Sequence, residues 1–380
     1  MYEMWANAAS DGKVGGAVFL DLSAAFDLVP PDILQKKLRI YGLQSSFLNF
    51  MKSYMTDRYQ AVWIDNCFSN YIPCEVGVPQ GSILGPLIFL IFINDLSYQV
   101  KSEVEQYADD TTISESDKNI QSISDHLNES CETVTAWMSQ NQLKLNADKT
   151  HILMLGTQRR LASLDEELCI HMDGIQLKES ETKSEIILGC HIQSDLKWSK
   201  QTYNLKQKLK KRLAGTYHLR GILPFSSMRM ICEGWFTSVI VYCLPLFGGC
   251  ESRDVDDLQK LQNKMARLVT NSQIRRNREE MFNQVEWLTV KQLMVYHTLT
   301  TVFRIRKTGE PEGLASTLNY ENRNNNIIFP TSNLTLYRKS FTYRGICLWN
   351  RIPKDIKNVQ TIGLFKSRLK EWVSKEVSKF

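Results

Sequence analysis

The sequence predicts an α+β fold, with an antiparallel sheet carrying helices on one face and a mostly helical region after it. Three observations carry that expectation. The apolar run GAVFLDL ends in a carboxylate at Asp21. Hydrophobic residues recur at helical spacing over 32–41 and at Ile120, Ile123, Leu127, Val134, Trp137 and Met138. VEQYADDTTIS reads as two strands about a polar turn.

In order, GAVFLDL is a buried strand, and SAAFD is a turn or short helix closed by Pro30 and Pro31. Gly42 stops the helix at 32–41, and Phe47, Met51, Tyr54 and Met55 mark a second. RYQAVWID and FSNYIPCEV pair around an Asp65-Asn66 turn. GVPQGS is a loop whose Gly77 and Gly81 allow close backbone approach, and it opens the apolar helix ILGPLIFLIFINDL. LKLNADKTHILML returns to strand. The Asn-rich stretch 319–327 is expected to be an exposed loop between units.

Composition narrows the class. At 380 residues with 43% hydrophobic side chains, the chain buries a sizeable core in two or three packed units. A net charge of +5 is mildly basic, so nucleic-acid affinity must come from a local patch. The 9 cysteines form no Cys-x-x-Cys pair and have no His-x-x-x-His companion, which excludes a zinc finger pattern and fits reduced thiols in an intracellular protein of nucleus or cytoplasm. The start MYEMWANAASDGK has no secretory pattern, and ILGPLIFLIFI and WFTSVIVYCLPLF read as core and not as membrane spans.

YADD, at 107–110, sets two carboxylates side by side at a hairpin tip. Alone it reads as a polar turn. If the tip lies beside the end of the first strand, Asp21, Asp109 and Asp110 converge, and three oxygen donors suit magnesium. Two such ions can activate a 3′-hydroxyl and stabilise leaving pyrophosphate.

AVFLDLSAAFDLV, GVPQGSILGPLIFLIFINDL, YADDTTI, LKLNADKT and LGCHIQSDLKW occur in the order and approximate spacing of the palm motifs of reverse transcriptases. The wording resembles non-LTR retrotransposons of the jockey and CR1 kind, as does the tail FTYRGICLWNRIPKDIKNVQTIGLFKSRLKEWV. The resemblance implies a right-hand polymerase palm, with Asp21, Asp109 and Asp110 as catalytic metal-binding carboxylates holding two Mg2+ ions, for which Mn2+ can substitute. It implies that Phe26 lies under the incoming sugar, with an ordinary core Phe as the alternative, and that Tyr107 belongs to the substrate site. Gln80 and Gly81 match the loop that contacts template and nucleotide, although Gly81 also reads as a helix-start glycine. Lys149 matches the lysine that protonates pyrophosphate; alone it reads as solvated surface. Leu188 and Gly189 match the primer-grip turn, or else a plain hairpin.

From Leu196 to Cys232 there is no Asp or Glu, while Lys197, Lys200, Lys206, Lys208, Lys210, Lys211, Arg212, Arg220 and Arg229 accumulate. Beside a palm this reads as a thumb that tracks phosphates, with Trp198, Tyr203 and Tyr217 free to stack; alone it is a solvated basic face. Tyr337, Arg338, Lys339, Phe341, Tyr343 and Arg344 form a weaker cluster of the same kind.

The expected organisation is a palm over 1–195, a helical thumb over 196–305, a linker over 306–335 and a small region over 336–380. Sixteen residues precede AVFLDL, with Lys13 their sole basic side chain, so the family's fingers region and upstream endonuclease are expected to be missing. The function implied is RNA-directed DNA polymerisation on an RNA template from a DNA primer and dNTPs, impaired by that truncation. The alternatives are a catalytically inactive nucleic-acid-binding remnant and, further off, a group II intron maturase-like protein.

Overall fold

The computed structural model describes residues 1–146, 149–272, 276–322, 326–329 and 335–376, which divide into two compact units. The first holds Met1 and 11–183; the second holds 2–10 and everything from Ser184 onward.

The first unit is built on β1 (Val14–Leu20), then α1 (Pro31–Ile40), α2 (Ser45–Met55) and α3 (Leu84–Ile93). The hairpin β2 (Glu103–Tyr107) and β3 (Asp110–Asp117), α4 (Ile120–Gln140), β4 (His151–Leu155) and β5 (Lys178–Glu179) complete it. The sheet order is β5-β4-β1-β3-β2, antiparallel except for the β4/β5 pair, so the first strand in sequence is the central one. Val14, Val18, Leu20 and Ile113 bury against Ile123, Leu127 and Val134 of α4 and against the apolar α3. Gly16 permits that packing: a Cβ there would lie 2.8 Å from Ile123 and 2.9 Å from Leu127.

One charge lies inside this core. Lys37 of α1 donates to Asp95 Oδ1 and to the Phe92 carbonyl, both at 2.7 Å, with the Phe92 and Trp137 rings 4.5 Å from its ammonium. Burial pushes its pKa down and Asp95 opposes that push. The Asp65-Asn66 turn is present, both residues having positive φ, but the strands around it break into the short ladders 58–60 with 72–74 and 63–64 with 67–68.

In the second unit the hairpin β6 (Ser184–Ile187) and β7 (Cys190–Gln193) is followed by α5 (Ser199–Tyr217), α6 (Ser252–Val269), α7 (Val290–Thr308), α8 (Phe341–Arg351) and α9 (Ile362–Glu376). The helix Tyr2–Ser10 belongs here: Tyr2, Trp5, Ala6 and Ala9 are buried, and the Glu3 carboxylate accepts from the Phe341 and Thr342 backbone N–H groups at the start of α8. One expectation is corrected in this unit. Tyr337 and Phe341 are buried and the half-buried Arg344 donates to the Pro245 and Lys339 carbonyls, so these three serve the fold and not a nucleic-acid surface, while Arg338 is exposed. The Asn-rich stretch is anchored at Ile327, which is buried and exchanges two hydrogen bonds with the Asn350 side chain; residues 323–325 lie outside the described residues.

Candidate active site

Strand register brings the carboxylates together. Leu20 pairs with Thr111, so one step further along both strands sets Asp21 beside Asp110. Tyr107 pairs with Asp110 across a two-residue turn, Ala108-Asp109, in which Ala108 takes φ of 55°. Asp109 is therefore at the tip, and Tyr107 projects into solvent. The backbone of Asp21 is held from the other side: its N–H donates to Thr150 Oγ1 at 3.4 Å, and its carbonyl accepts from Asn146 N–H at 3.0 Å. Partial burial at the sheet end, then the charges of Asp109 and Asp21, raise the Asp110 carboxyl above its ordinary range.

The glycine loop is fastened to the turn after β1. Gly77 N–H donates to the Val29 carbonyl and Val78 N–H to that of Phe26, each at 2.8 Å. A Cβ on Gly77 would sit 2.7 Å from the Asp27 carbonyl oxygen, so only glycine fits. Gly81 is required for its φ of 78°, since a Cβ there would meet nothing within 4 Å. Gln80 is exposed and donates from Nε2 to Asp27 Oδ1 at 2.7 Å. Phe26 is half-buried and stacks on Phe89 of α3 with ring centroids 4.3 Å apart. Sequence reasoning missed two residues here, Asp27 and Arg58. The Arg58 guanidinium donates to the carbonyls of Met55, Val76 and Gly77, tying the end of α2 to the loop. The only signal was Asp27's place directly after Phe26; Arg58 stands among strand letters and gave none.

Lys149 is exposed in the segment beyond Asn146, one residue before the Thr150 that holds Asp21. In the second unit, Leu188 and Gly189 form a turn with φ of 47° and 77°. Tyr242 donates its hydroxyl to the Leu188 carbonyl and lays its ring 3.5 Å from where a Gly189 Cβ would be. Just after the turn, the Cys190 and Cys243 thiols are hydrogen-bonded, which lowers the Cys243 thiol.

The basic residues of α5 divide. Lys208, Lys210 and Lys211 are exposed. Lys206 is held by Asp254 at 2.9 Å and Asp257 at 3.3 Å, carboxylates from α6 that no local reading of the run could supply. Arg212 stacks on Trp235 and donates to its carbonyl, Lys200 donates to Ser184, Lys197 lies 3.7 Å from Asp195, and Arg220 donates to Asn271. Of the aromatics, Tyr203 and Tyr217 are exposed; Trp198 is buried against Tyr2, so the expectation that it stacks on nucleic acid is corrected.

Carboxylates are the oxygen donors that magnesium takes from protein, and Asp110 is raised first by burial and then by the charges of Asp109 and Asp21. Among the described residues no group of three or more His, Cys, Asp or Glu is gathered to hold a metal ion. A hard ion that keeps waters and substrate phosphates in its shell does not require a protein cage.

A sequence profile of the family described as reverse transcriptase (RNA-dependent DNA polymerase) matches residues 4–211. The chain is 25% identical over 316 residues to a protein named as a probable RNA-directed DNA polymerase from transposon BS of Drosophila melanogaster, covering 79% of this chain and 34% of the relative. It is 25% identical over 271 residues to the RNA-directed DNA polymerase from mobile element jockey of the same organism, covering 67% of this chain and 28% of the relative. The chain thus spans about a third of the length of these curated relatives. Among solved structures, apo telomerase from Candida tropicalis matches at a TM-score of 0.44 and 9% identity, covering 98% of this chain and 56% of that one; at that score the likeness carries no argument. No described helix is long and apolar enough to cross a membrane.

Proposed function

Because the chain belongs to the reverse transcriptase (RNA-dependent DNA polymerase) family, we propose that it performs RNA-directed DNA synthesis of the non-LTR retrotransposon kind, joining a dNTP to a DNA primer 3′-hydroxyl on an RNA template. The observation that carries this is the strand register that sets Asp21 beside Asp110, next to the hairpin tip that carries Asp109.

Asp21, Asp109 and Asp110 would hold two Mg2+ ions, or Mn2+ in their place; such ions, when bound, activate the 3′-hydroxyl and stabilise pyrophosphate. The remaining work belongs to the chain. Phe26, fixed on Phe89, lies under the incoming sugar. Gln80 and Gly81 contact nucleotide and template, and the exposed Tyr107 belongs to the substrate site. Lys149 gives its ammonium proton to the leaving pyrophosphate. Leu188 and Gly189 contact the primer. Lys208, Lys210 and Lys211, with Lys197, Lys200, Arg212 and Arg220 at shorter reach, contact phosphates as a thumb over 196–305. Nine free cysteines support an intracellular setting, nucleus or cytoplasm.

Primer extension with Mg2+ on an RNA template tests this reading. The wild-type chain should add deoxynucleotides, and the Asp109→Asn/Asp110→Asn double variant should fall to background. Equal, metal-independent signals from both would end the polymerase reading. The absence of a gathered ligand set among the described residues favours one second reading, a nucleic-acid-binding remnant without catalysis. That reading predicts hybrid binding by both proteins and extension by neither.

A further inference from the structure

We propose that Asp27 is a positioning residue for the incoming nucleotide: it fixes which end of the Gln80 carboxamide faces the substrate. The inference rests on the polymerase reading above. Asp27 closes the single 3-10 turn Ala25–Asp27, and its Oδ1 accepts from Gln80 Nε2 at 2.7 Å. An ionised carboxylate can only accept hydrogen bonds. It therefore selects the nitrogen end of the amide and turns Gln80 Oε1 away from itself. An unpaired glutamine has no such preference, because its two amide orientations are nearly isosteric.

The pairing is oriented from both ends. On one side, the Phe26 and Val29 carbonyls receive the backbone N–H groups of Val78 and Gly77, and the Asp27 backbone fills the space where a Gly77 side chain would be. On the other, Arg58 spans the Val76 and Gly77 carbonyls. The loop that carries Gln80 is thus docked on the turn that carries Asp27, and their side chains meet in solvent with neither contributing to the core. The side chain so set offers the nucleotide an acceptor, and the ligand group it takes is a hydroxyl or N–H donor.

Retention of a dNTP on an RNA template carrying a dideoxy-terminated DNA primer, with Mg2+ present, reads this without chemistry. Asp27→Asn removes the acceptor-only partner while keeping the shape. It should weaken dNTP retention about fivefold to tenfold, the scale of one charge-assisted hydrogen bond. Hybrid affinity without dNTP and the melting temperature should stay unchanged. In primer extension KM for dNTP should rise by the same factor with kcat held. The Asp27→Asn/Gln80→Ala double variant should be no weaker than Gln80→Ala alone, because Asp27 acts only through Gln80. Additive losses in the double variant, or a loss of hybrid affinity in place of dNTP affinity, would overturn the role of Asp27 and leave the polymerase reading standing. A wild-type chain that neither retains nucleotide nor extends primer overturns both.

Discussion

The carboxylate end of the central sheet and the basic face of α5 are both clusters of one charge, and they are held in opposite ways. Asp21 and Asp110 lie side by side next to the tip that carries Asp109, and Asp110 is raised by burial and then by the charges of Asp109 and Asp21, with no cation beside it among the described residues to offset them. The lysines of α5 are partly neutralised: Lys206 is clasped by Asp254 and Asp257, which together outweigh burial and raise its pKa. A charge cluster that the fold leaves unrelieved points to a ligand that is not protein, whereas one the fold relieves has a structural task. On this ground the two regions separate, and within α5 so do Lys208, Lys210 and Lys211 from Lys206.

The largest expected effect breaks the loop beneath the first region. Gly77→Ala combines a φ of 87° with a Cβ 2.7 Å from the Asp27 carbonyl oxygen, and should cost about 2–4 kcal/mol in urea unfolding. Gly16→Ala should cost somewhat less, about 1–3 kcal/mol, because the atoms it meets are flexible ends of Ile123 and Leu127.

The second region can be sharpened by opposite losses. The Lys208→Ala/Lys210→Ala/Lys211→Ala triple variant should keep its melting temperature and flatten the salt dependence of hybrid binding by about two to three in log–log slope. Lys206→Ala should leave that slope nearly unchanged and lower the melting temperature, since it leaves the half-buried Asp254 without its ion pair while Asp257 keeps Lys260 at 3.0 Å. The pH sign follows from the raised Lys206: its contribution is fully present below the ordinary lysine range and is lost as pH rises through its folded value.

The smallest effects are titrations. Asp110 is raised in the folded chain, so the folded state binds its proton more tightly, and wild-type stability falls as pH rises through that value. Without divalent cation, Asp110→Asn should therefore melt about 1–2 °C higher at neutral pH, and the gain should vanish below the ordinary carboxylate range. Cys243, lowered by its hydrogen bond with Cys190, should alkylate faster than Cys131, whose thiol burial pushes up.

How much was legible in the sequence follows the same division. β1, the YADD hairpin, α4 and the turn at Asp65-Asn66 are set by local period and turn chemistry, and they stand where the letters put them. What could not be read is what distant chain supplies. Nothing in MYEMWANAAS says that its Trp5 and Glu3 serve the C-terminal unit. In the basic-aromatic stretch around Arg344, Tyr337 and Phe341 are core, and the Lys339 and Pro245 carbonyls receive the Arg344 guanidinium. Lys206 is neutralised from about fifty residues downstream, a separation over which a charge run shows no sign of its partner. Gln80 was legible as a site residue by resemblance, but its partner Asp27 was not, because a hydrogen bond between loops leaves no periodic trace.

The most direct test of the carboxylate end is Mn2+ binding, followed by electron paramagnetic resonance in the presence of RNA/DNA hybrid and dNTP. The account predicts that wild-type chain binds the ion and that Asp21→Asn and Asp109→Asn each lose most of that binding while remaining folded. Unchanged Mn2+ binding in both variants would contradict it, and would return YADD to a polar turn at the tip of a hairpin.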